Sequence, residues 1–238
     1  IVIVEQTSTS SPSLHVIHIH QPQETMMMTE RVKLISITPN VEEQIAYCAR
    51  VSNPSGQVGR DASGLLKYCI KHGHWSIFEM GHMVVEINTT RAIAAQILRH
   101  RSFSFQEFSQ RYADVSALEF ASVPNLRRQD TKNRQNSIDD LDPFEIQQMQ
   151  MEIQQLYKAS ESLYKRLLDA GVAKECAREV LPLGTPSRLY MSGTIRSFLH
   201  YIDLRSGNGT QLEHKQIADE MKEIFSQELP VVSKAMWS

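Results

Sequence analysis

The chain is organised around the stretch Arg99-His100-Arg101-Ser102-Phe103-Ser104-Phe105-Gln106-Glu107-Phe108-Ser109-Gln110-Arg111-Tyr112. It combines three guanidinium groups, an imidazole, a carboxylate and three serine hydroxyls with four aromatic rings. Arginine presents a rigid fork of donors that fits phosphate oxygens in pairs, and an aromatic ring offers a face on which a planar heterocycle can stack. The combination indicates a nucleotide-binding site.

The backbone of this stretch is expected to change character along its length. The preceding residues predict a helix from Thr90 to Leu98 with Thr90 as the N-cap, which places Gln96 and Arg99 three apart on one face. From Ser102 the alternation of serine and phenylalanine predicts an extended segment. Extended backbone would place alternate side chains on opposite faces, a polar set of Glu107, Ser109 and Arg111 and a second set of Phe108, Gln110 and Tyr112.

A purely structural interpretation of these residues stays open. Arginines are common at solvated helix ends, and Phe103, Phe105 and Phe108 could belong to the core. For any one residue the structural interpretation is favoured. The set as a whole favours a site, because arginines crowded together repel one another unless an anion or carboxylates offset their charge.

The same stretch carries a resemblance to a known family. Arg99-His100-Arg101, followed after seven residues by Ser109, resembles the signature of the flavin-dependent thymidylate synthases. The extended pattern of that family also fits Glu107, Gln110, Arg111 and Tyr112. The resemblance spans roughly residues 32 to 227 and includes further blocks in the expected order.

Three of these blocks also have structural interpretations. Ala49-Arg50-Val51-Ser52 is a helix exit and resembles a family segment that approaches the flavin. His72 to Glu79 resembles a Lys-His-Gly-His-x-(Ser/Thr)-x-Phe-Glu block, while Ser76 and Glu79 have the spacing of a helix capping box. Arg178 lies in a segment that resembles the family's Ala-Arg-x-x-Leu-Pro, and it could equally be an exposed helix residue.

A further block predicts a helix from Ile195 to Leu204, capped by Thr194. Its expected buried stripe is Ile195, Phe198, Leu199 and Ile202. Arg196 and His200 lie four apart on another face and could grip one ligand together. The block resembles the family's region for cofactor and pyrimidine and ends in a matching Arg205. Many members have Asn where this chain has Thr194 and His200.

The remaining elements follow from local patterns. Strands are predicted at 32–37, 82–88 and 188–193, and a helix at 63–71. Capping-box spacing predicts helix starts at Asn40 with Glu43 and at Thr210 with Glu213. Residues 113–142 are predicted as a polar loop, and Asp142 as the N-cap of a long helix that ends at 171. The apolar stripe of that helix indicates either core or a subunit interface, and it consists of Met149, Ile153, Leu156, Leu163 and Leu167.

Composition excludes several classes of protein. With 238 residues, 41% hydrophobic and 22% charged, the chain is expected to form one soluble domain with a sizeable core. A net charge of −2 argues against a general nucleic-acid binder. Cys48, Cys69 and Cys176 lie far apart without metal or disulfide spacing, which predicts a reducing, cytoplasmic location. No apolar run approaches the roughly 20 residues of a membrane span.

The N-terminal residues differ from the rest of the chain. Residues 1–28 are rich in Ser and Thr and then alternate apolar residues with His15, His18 and His20. Without a carboxylate or Cys framework these histidines do not predict a metal site, and no metal is expected elsewhere. We expect residues 1–28 to be a disordered or non-native tail and residues 29–238 to form a flavin-dependent thymidylate synthase domain.

The resemblance implies a fold and an activity. The fold would be α+β, a single domain with a mixed, mainly antiparallel sheet flanked by long helices, the thymidylate synthase complementing fold. The activity would be reductive methylation of dUMP to dTMP, with methylenetetrahydrofolate as carbon donor and FAD reduced by NADPH as hydride source. No cysteine has an evident activating neighbour, so catalysis by a covalent thiolate is disfavoured.

The resemblance also implies residue roles. Arg205 would be catalytic and would polarise the pyrimidine ring. The residues that would hold FAD are Ser52, His74, Ser76, Glu79, Arg99, His100, Arg101, Glu107, Thr194, Arg196 and His200. The residues that would hold dUMP are Gln96, Ile97, Leu98, Arg99, Glu107, Phe108, Ser109, Gln110, Arg111, Arg178 and Arg205. The family forms a homotetramer whose sites combine residues from several subunits, with no nucleic-acid or membrane partner.

A second hypothesis comes from a different class of protein. The chain could be a non-catalytic nucleotide or single-stranded nucleic-acid binding module, in which Arg99, Arg101, Phe103, Phe105 and Phe108 form a basic, stacking surface. The net acidity of the chain argues against it.

Overall fold

A computed structural model describes residues 31–118 and 123–238. The expectation of a tail at residues 1–28 therefore concerns residues outside the described part of the chain. The description begins at Arg31, directly before the first strand.

The framework is a four-stranded antiparallel sheet beside a short hairpin. The strands are β1 (Val32–Ile37), β2 (His82–Thr90), β3 (Ser104–Glu107), β4 (Arg128–Gln129), β5 (Ser137–Ile138) and β6 (Pro186–Thr194). The sheet has the order β1-β2-β6-β3, and its three pairings are antiparallel. The long central strands β2 and β6 pair from His82 opposite Thr194 to Thr90 opposite Pro186. Both strands end directly in a helix, so the pairing places two helix starts at opposite ends of the sheet.

Helices pack on one face of this sheet and extend beyond it. They are α1 (Val41–Ala49), α2 (Ser63–Lys71), α3 (Arg91–Ile97), α4 (Pro143–Asp169), α5 (Lys174–Ala177), α6 (Ile195–Arg205), α7 (Leu212–Glu228) and α8 (Pro230–Trp237). The predicted α+β fold with an antiparallel sheet and long flanking helices is confirmed. Within residues 31–118 and 123–238, no helix is both long and apolar enough to cross a bilayer.

The core lies between the sheet and the helices. Alternate residues of β2, Met83, Val85 and Ile87, are completely buried, as the two-residue period of a strand requires. The predicted stripe of α6 meets them and is buried too, with Phe198 and Ile202 at 0% exposure. Each such side chain contributes roughly 1.5–3 kcal/mol by leaving water.

Three predicted N-caps are confirmed. The side-chain oxygen of Thr90 accepts a hydrogen bond from Ile93 N at 3.4 Å, and that of Thr194 accepts one from Ser197 N at 3.2 Å. Asp142 accepts from the first two free amides of α4, at 2.9 and 3.1 Å. Because a cap fixes where a helix starts, Thr90 and Thr194 set the positions of the side chains that α3 and α6 carry.

The three predicted capping boxes do not form, although α1 begins directly after Asn40 as predicted. Asn40 has a left-handed backbone, with φ of 47°, and its side chain makes no cap bond. Ser76 and Glu79 lie inside a 3₁₀ helix, Trp75–Met80, without a side-chain cap. Helix α7 starts after Gln211 rather than Thr210. In the last two cases the glutamate carboxylate bonds a distant arginine instead of its own helix start.

Three of the five residues in the apolar stripe predicted for the long helix α4 are exposed, and the other two are half-buried. Of its side chains, Tyr164 is the one that is buried within the described chain. Met149, Leu156 and Leu163 are 40%, 64% and 37% exposed. Core and subunit interface were the two predicted uses of this stripe. Because its exposed residues are not covered within the described chain, the subunit interface is favoured.

Candidate functional site

The extended part of the arginine-rich stretch is shorter than predicted. Strand β3 ends at Glu107, and the predicted alternation through Tyr112 is wrong. Phe108 N still donates to Arg188 O at 2.8 Å, but the chain then turns, and Tyr112 N bonds Ser109 O at 3.1 Å. Gln110 and Tyr112, predicted to share a face, are 8% and 88% exposed.

In the loop between α3 and β3 the arginines are exposed to solvent, whereas the first phenylalanine is buried. Arg99 and Arg101 are exposed. Phe103 is buried against Phe198, with ring centroids 4.9 Å apart. A Cβ at Gly193 would lie 2.5 Å from the Phe103 ring, so this position requires glycine. Phe103 therefore belongs to the core, and the stacking surface of the nucleic-acid hypothesis loses a central member.

Three of the sequence blocks converge on one cavity of about 520 Å³. Its lining comes from the 3₁₀ helix, from the loop between α3 and β3 (the arginine loop), and from α6 and α8. The lining residues are Trp75, Glu79, Ser102, Arg196, Ser197, Leu199, His200, Asp203 and Met236. Arg196 donates to Glu79 at 2.9 Å, and Ser197 Oγ donates to Ser102 O at 3.3 Å. These two contacts join blocks that are far apart in the sequence.

The lining of this cavity has two chemical characters. Arg196 and His200 are exposed polar groups on the open face of α6, as their spacing predicts. Trp75, Leu199 and Met236 supply apolar surface. The cavity can therefore bind a molecule that carries both a planar ring and an anion.

A second cavity, of about 400 Å³, lies at the turn after β3. It is lined by Ser109, Arg111, Tyr112, Ala173, Lys174 and Glu175. Arg111 pairs with Glu175 at 3.1 Å, so within one chain a carboxylate already holds this guanidinium. Arg178 lies just beyond α5, at 3.8 Å from its neighbour Glu179. The two cavities share no lining residue.

Arg205 and His100 form the direct contact between the arginine loop and the end of α6. Arg205 Nε donates to His100 Nε2 at 2.9 Å. Burial, together with the charges of Arg205, His200 and Arg99, lowers the pKa of His100 to about 4. The imidazole is therefore neutral at pH 7 and can accept this hydrogen bond, which fixes the direction of the guanidinium.

A buried polar pair behind this contact was missed in the sequence. Tyr201 Oη and His214 Nε2 are 2.9 Å apart, and both residues have 0% exposure. The ring of Tyr201 packs edge-on against His100, with centroids 4.8 Å apart. A usable signal exists, because His214 shares the buried face of α7 with Ile217 and Met221, and a titratable group on an apolar stripe needs a polar partner.

Some predicted dUMP-binding residues already have other partners. Ile97 has 0% exposure, so it is not accessible to a ligand within one chain, whereas Leu98 is 37% exposed. Glu107 accepts from Ser187 Oγ at 2.7 Å and pairs with Arg91. Gln110 is buried, and its Nε2 has no hydrogen-bond partner among the described residues.

Several predicted FAD-binding residues lie outside the lining of the larger cavity. His74 and Ser76 are exposed, on the segment that also carries Trp75 and Glu79. Ser52 is exposed in the turn after α1. The hydroxyl of Thr194 is used as the cap of α6.

These features define a class of protein before any comparison is made. An α+β domain that gathers guanidinium groups, a neutral imidazole and apolar surface around open cavities has the features of a nucleotide-binding enzyme domain. Of the aromatic residues expected for a stacking surface, Phe103 lies in the core and Phe105 packs against it.

Comparison with known proteins gives the family. The family model described as thymidylate synthase complementing protein matches residues 33–231. The chain is 54% identical over 212 residues to the probable flavin-dependent thymidylate synthase of Paramecium bursaria Chlorella virus 1, which covers 86% of this chain and 97% of the viral protein. It is 50% identical over 195 residues to the flavin-dependent thymidylate synthase of Synechocystis sp., covering 82% of this chain and 89% of that protein.

A solved structure agrees with these sequence matches. The crystal structure of the UMP/dUMP methylase PolB from Streptomyces cacaoi, bound with 5-Br dUMP, superposes with a TM-score of 0.76 at 28% identity. The match covers 86% of this chain and 93% of that one. The chain belongs to the thymidylate synthase complementing family, the flavin-dependent thymidylate synthases.

Proposed function

We propose that this protein catalyses the reductive methylation of dUMP to dTMP, with methylenetetrahydrofolate as carbon donor and NADPH-reduced FAD as hydride source. The observation that carries the proposal is the convergence of three distant sequence blocks on one cavity, beside a guanidinium that a neutral imidazole orients. The names of the relatives, flavin-dependent thymidylate synthase and dUMP methylase, support the same reaction.

The larger cavity fits part of a flavin dinucleotide. Its apolar members suit a planar ring, and Arg196 with the nearby exposed Arg99 and Arg101 suits a pyrophosphate. We assign FAD binding to the predicted set, in which Glu79 orients Arg196 and His200 adds a polar edge. These residues would hold reduced FAD, which would supply the hydride, so that no activated cysteine would be needed.

The protein's own side chains would orient dUMP and stabilise charge. Arg205 uses Nε for His100, and we assign its terminal nitrogens to the pyrimidine, where fixed cationic donors stabilise negative charge as it develops. We assign the phosphate to Arg111, which lines the second cavity, and to Arg178, which follows the lining residue Glu175 by three positions. Gln110 has a buried, unpaired amide that a bound nucleotide could satisfy. We assign the remaining predicted residues, Gln96 among them, to dUMP on the strength of the family resemblance.

The active assembly would be a homotetramer. The two cavities share no residue in one chain, and the apolar stripe of α4 is exposed, so neighbouring chains could bring complementary halves of the site together. Residues 29–238 would be the enzymatic domain. We propose a cytoplasmic enzyme without nucleic-acid or membrane partners, in line with the near-neutral charge of −2 and the reduced cysteines.

The direct test is product formation. Purified protein is incubated with dUMP, methylenetetrahydrofolate and NADPH, and dTMP is measured by chromatography, with single omissions of each co-substrate. We expect dTMP only in the complete mixture, and less after FAD is stripped. If no dTMP forms and the protein instead binds single-stranded oligonucleotides with a steep salt dependence, the binding-module hypothesis replaces the enzyme.

A further inference from the structure

A chain of hydrogen bonds runs from the buried core to the surface beside Gln96. Tyr201 Oη and His214 Nε2 are 2.9 Å apart, and His214 Nδ1 lies 3.4 Å from Gln96 Oε1. Gln96 Nε2 then donates to Gln211 Oε1 at 2.7 Å. This chain of hydrogen bonds therefore joins α3, α6 and α7. Of its side chains, Gln96 is the one to which we have already assigned a role in the reaction.

The outer end of this chain is anchored by an ion pair. Gln211 Nε2 donates to Glu213 Oε2 at 3.0 Å, and Arg127 binds both oxygens of Glu213 at 2.8 and 3.1 Å. The Arg127 side chain is only 10% exposed. The segment predicted as a solvated loop therefore contributes the outer end of the chain through Arg127.

The partners fix one direction for the hydrogens. Because the Gln96 amide nitrogen donates to Gln211, its oxygen faces His214 and must accept from Nδ1–H. In a neutral imidazole Nε2 is then an acceptor, so Tyr201 Oη is the donor. Burial, with the charges of Arg205 and His100, lowers the pKa of His214 to about 4, which keeps the ring neutral at pH 7.

The same tyrosine also supports the catalytic candidate. Its ring packs against the edge of His100 at 4.8 Å between centroids, and His100 Nε2 accepts from Arg205. Tyr201 thus touches both the imidazole that orients Arg205 and the imidazole that orients Gln96. One buried side chain couples two groups that we assign to dUMP.

We propose that Tyr201 and His214 are positioning residues that hold the amide of Gln96 and the imidazole of His100 so that Gln96 and Arg205 meet the nucleotide in fixed orientations. This inference rests on the proposed function, since it needs dUMP as the ligand of Gln96 and Arg205. It adds to that function two residues that touch neither substrate nor cofactor but determine substrate affinity through residues that do.

The test is Tyr201→Phe in the FAD-loaded protein. The change keeps the ring against His100 and removes the hydroxyl that holds His214. Loss of one neutral hydrogen bond changes an equilibrium by about three- to tenfold. We expect the Kd of dUMP, measured by calorimetry, and the KM for dUMP to rise by that factor, with kcat changed less and FAD retention unchanged.

Tyr164→Phe is the matched control. Tyr164 is also completely buried, and its hydroxyl accepts from Val115 N at 3.4 Å, but it lies in a separate apolar cluster under α4. It should lose stability without a change in the Kd of dUMP. Equal effects of the two variants on that Kd would show a general packing effect and overturn the positioning role.

A surface variant removes the risk that a core change prevents folding. Gln211→Ala deletes the acceptor of Gln96 Nε2 at an exposed position and should also raise the Kd of dUMP about threefold or more. Wild-type Kd in both Tyr201→Phe and Gln211→Ala, beside normal binding by the parent, would refute the positioning role alone. If the parent protein itself does not bind dUMP, the proposed function fails, and this inference fails with it.

Discussion

Acid should destabilise this protein through the buried imidazole of His214. The residue has 0% exposure, and burial is the first cause that lowers its pKa from 6.5 to about 4, followed by the charges of Arg205 and His100. Between these two pKa values the unfolded chain takes up a proton that the folded chain does not. The free energy of unfolding therefore falls as the pH falls from 6.5 towards 4, and the full contribution is present above pH 6.5.

The magnitude follows from the two pKa values. A shift of one pKa unit corresponds to about 1.4 kcal/mol, so lowering the pH from 7 to 5 should remove about 2 kcal/mol of stability through His214 alone. The assay is urea unfolding at pH 7 and pH 5, with saturating FAD and one fixed protein concentration. The FAD concentration and the protein concentration are held constant because ligand binding and assembly shift apparent stability.

The comparison variant is His214→Asn, which keeps a donor for Gln96 but cannot titrate. His100 titrates in both proteins, so the difference between them isolates His214. We expect the parent to lose about 2 kcal/mol more than the variant between pH 7 and pH 5. An equal loss in both proteins would mean that His214 is not held neutral by burial, and the reasoning would be refuted.

Four further substitutions and one control test the assigned site and assembly. Arg205→Ala should leave the protein folded and yellow but lower kcat by about 10²- to 10³-fold, and near-normal turnover would remove Arg205 from catalysis. Arg99→Ala and Arg101→Ala should release flavin, measured as lost absorbance at the flavin band after gel filtration; full retention would contradict a phosphate role. Leu156→Glu on α4 should reduce the sedimenting mass below a tetramer, whereas Val58→Glu, at a residue 80% exposed off that helix, should not.

Local signals in the sequence were enough for much of the fold. Thr90, Asp142 and Thr194 each precede an apolar helical pattern, and a cap depends only on the next two or three residues. Strands β1 and β2 follow from their alternation. The stripe of α6 could also be predicted, since burial of one helix face repeats along the chain.

Long-range contacts explain why some predictions from the sequence were wrong. Glu79 has the spacing to cap its own helix, but its carboxylate bonds Arg196, a residue 117 positions away. Glu213 is likewise drawn to Arg127. Strand β3 ends at Glu107 although β6 continues to Pro186, because the chain turns after Phe108, which the alternation of β3 cannot reveal. Competition between partners is decided by the tertiary fold, so spacing alone cannot decide it.

In the candidate site, too, local features could be predicted from the sequence and long-range contacts could not. The sequence grouped Arg196 with His200 and placed Arg205 near the pyrimidine from the resemblance, and the structure places the first two in one cavity. It could not show that His100 accepts from Arg205, because those residues are 105 positions apart. Tyr201 and His214 were missed because neither belongs to a motif or a predicted stripe, and their hydrogen bond joins two different helices.

The most direct measurement of the central claim is the visible spectrum of the purified protein during reduction. Arg196 and His200 share one cavity with apolar surface, which predicts a yellow protein with the spectrum of a bound flavin. NADPH should bleach that band, and dUMP should change the rate of bleaching because it binds beside the flavin. A colourless protein that takes up no added FAD, or bleaching that is indifferent to dUMP, would contradict the claim.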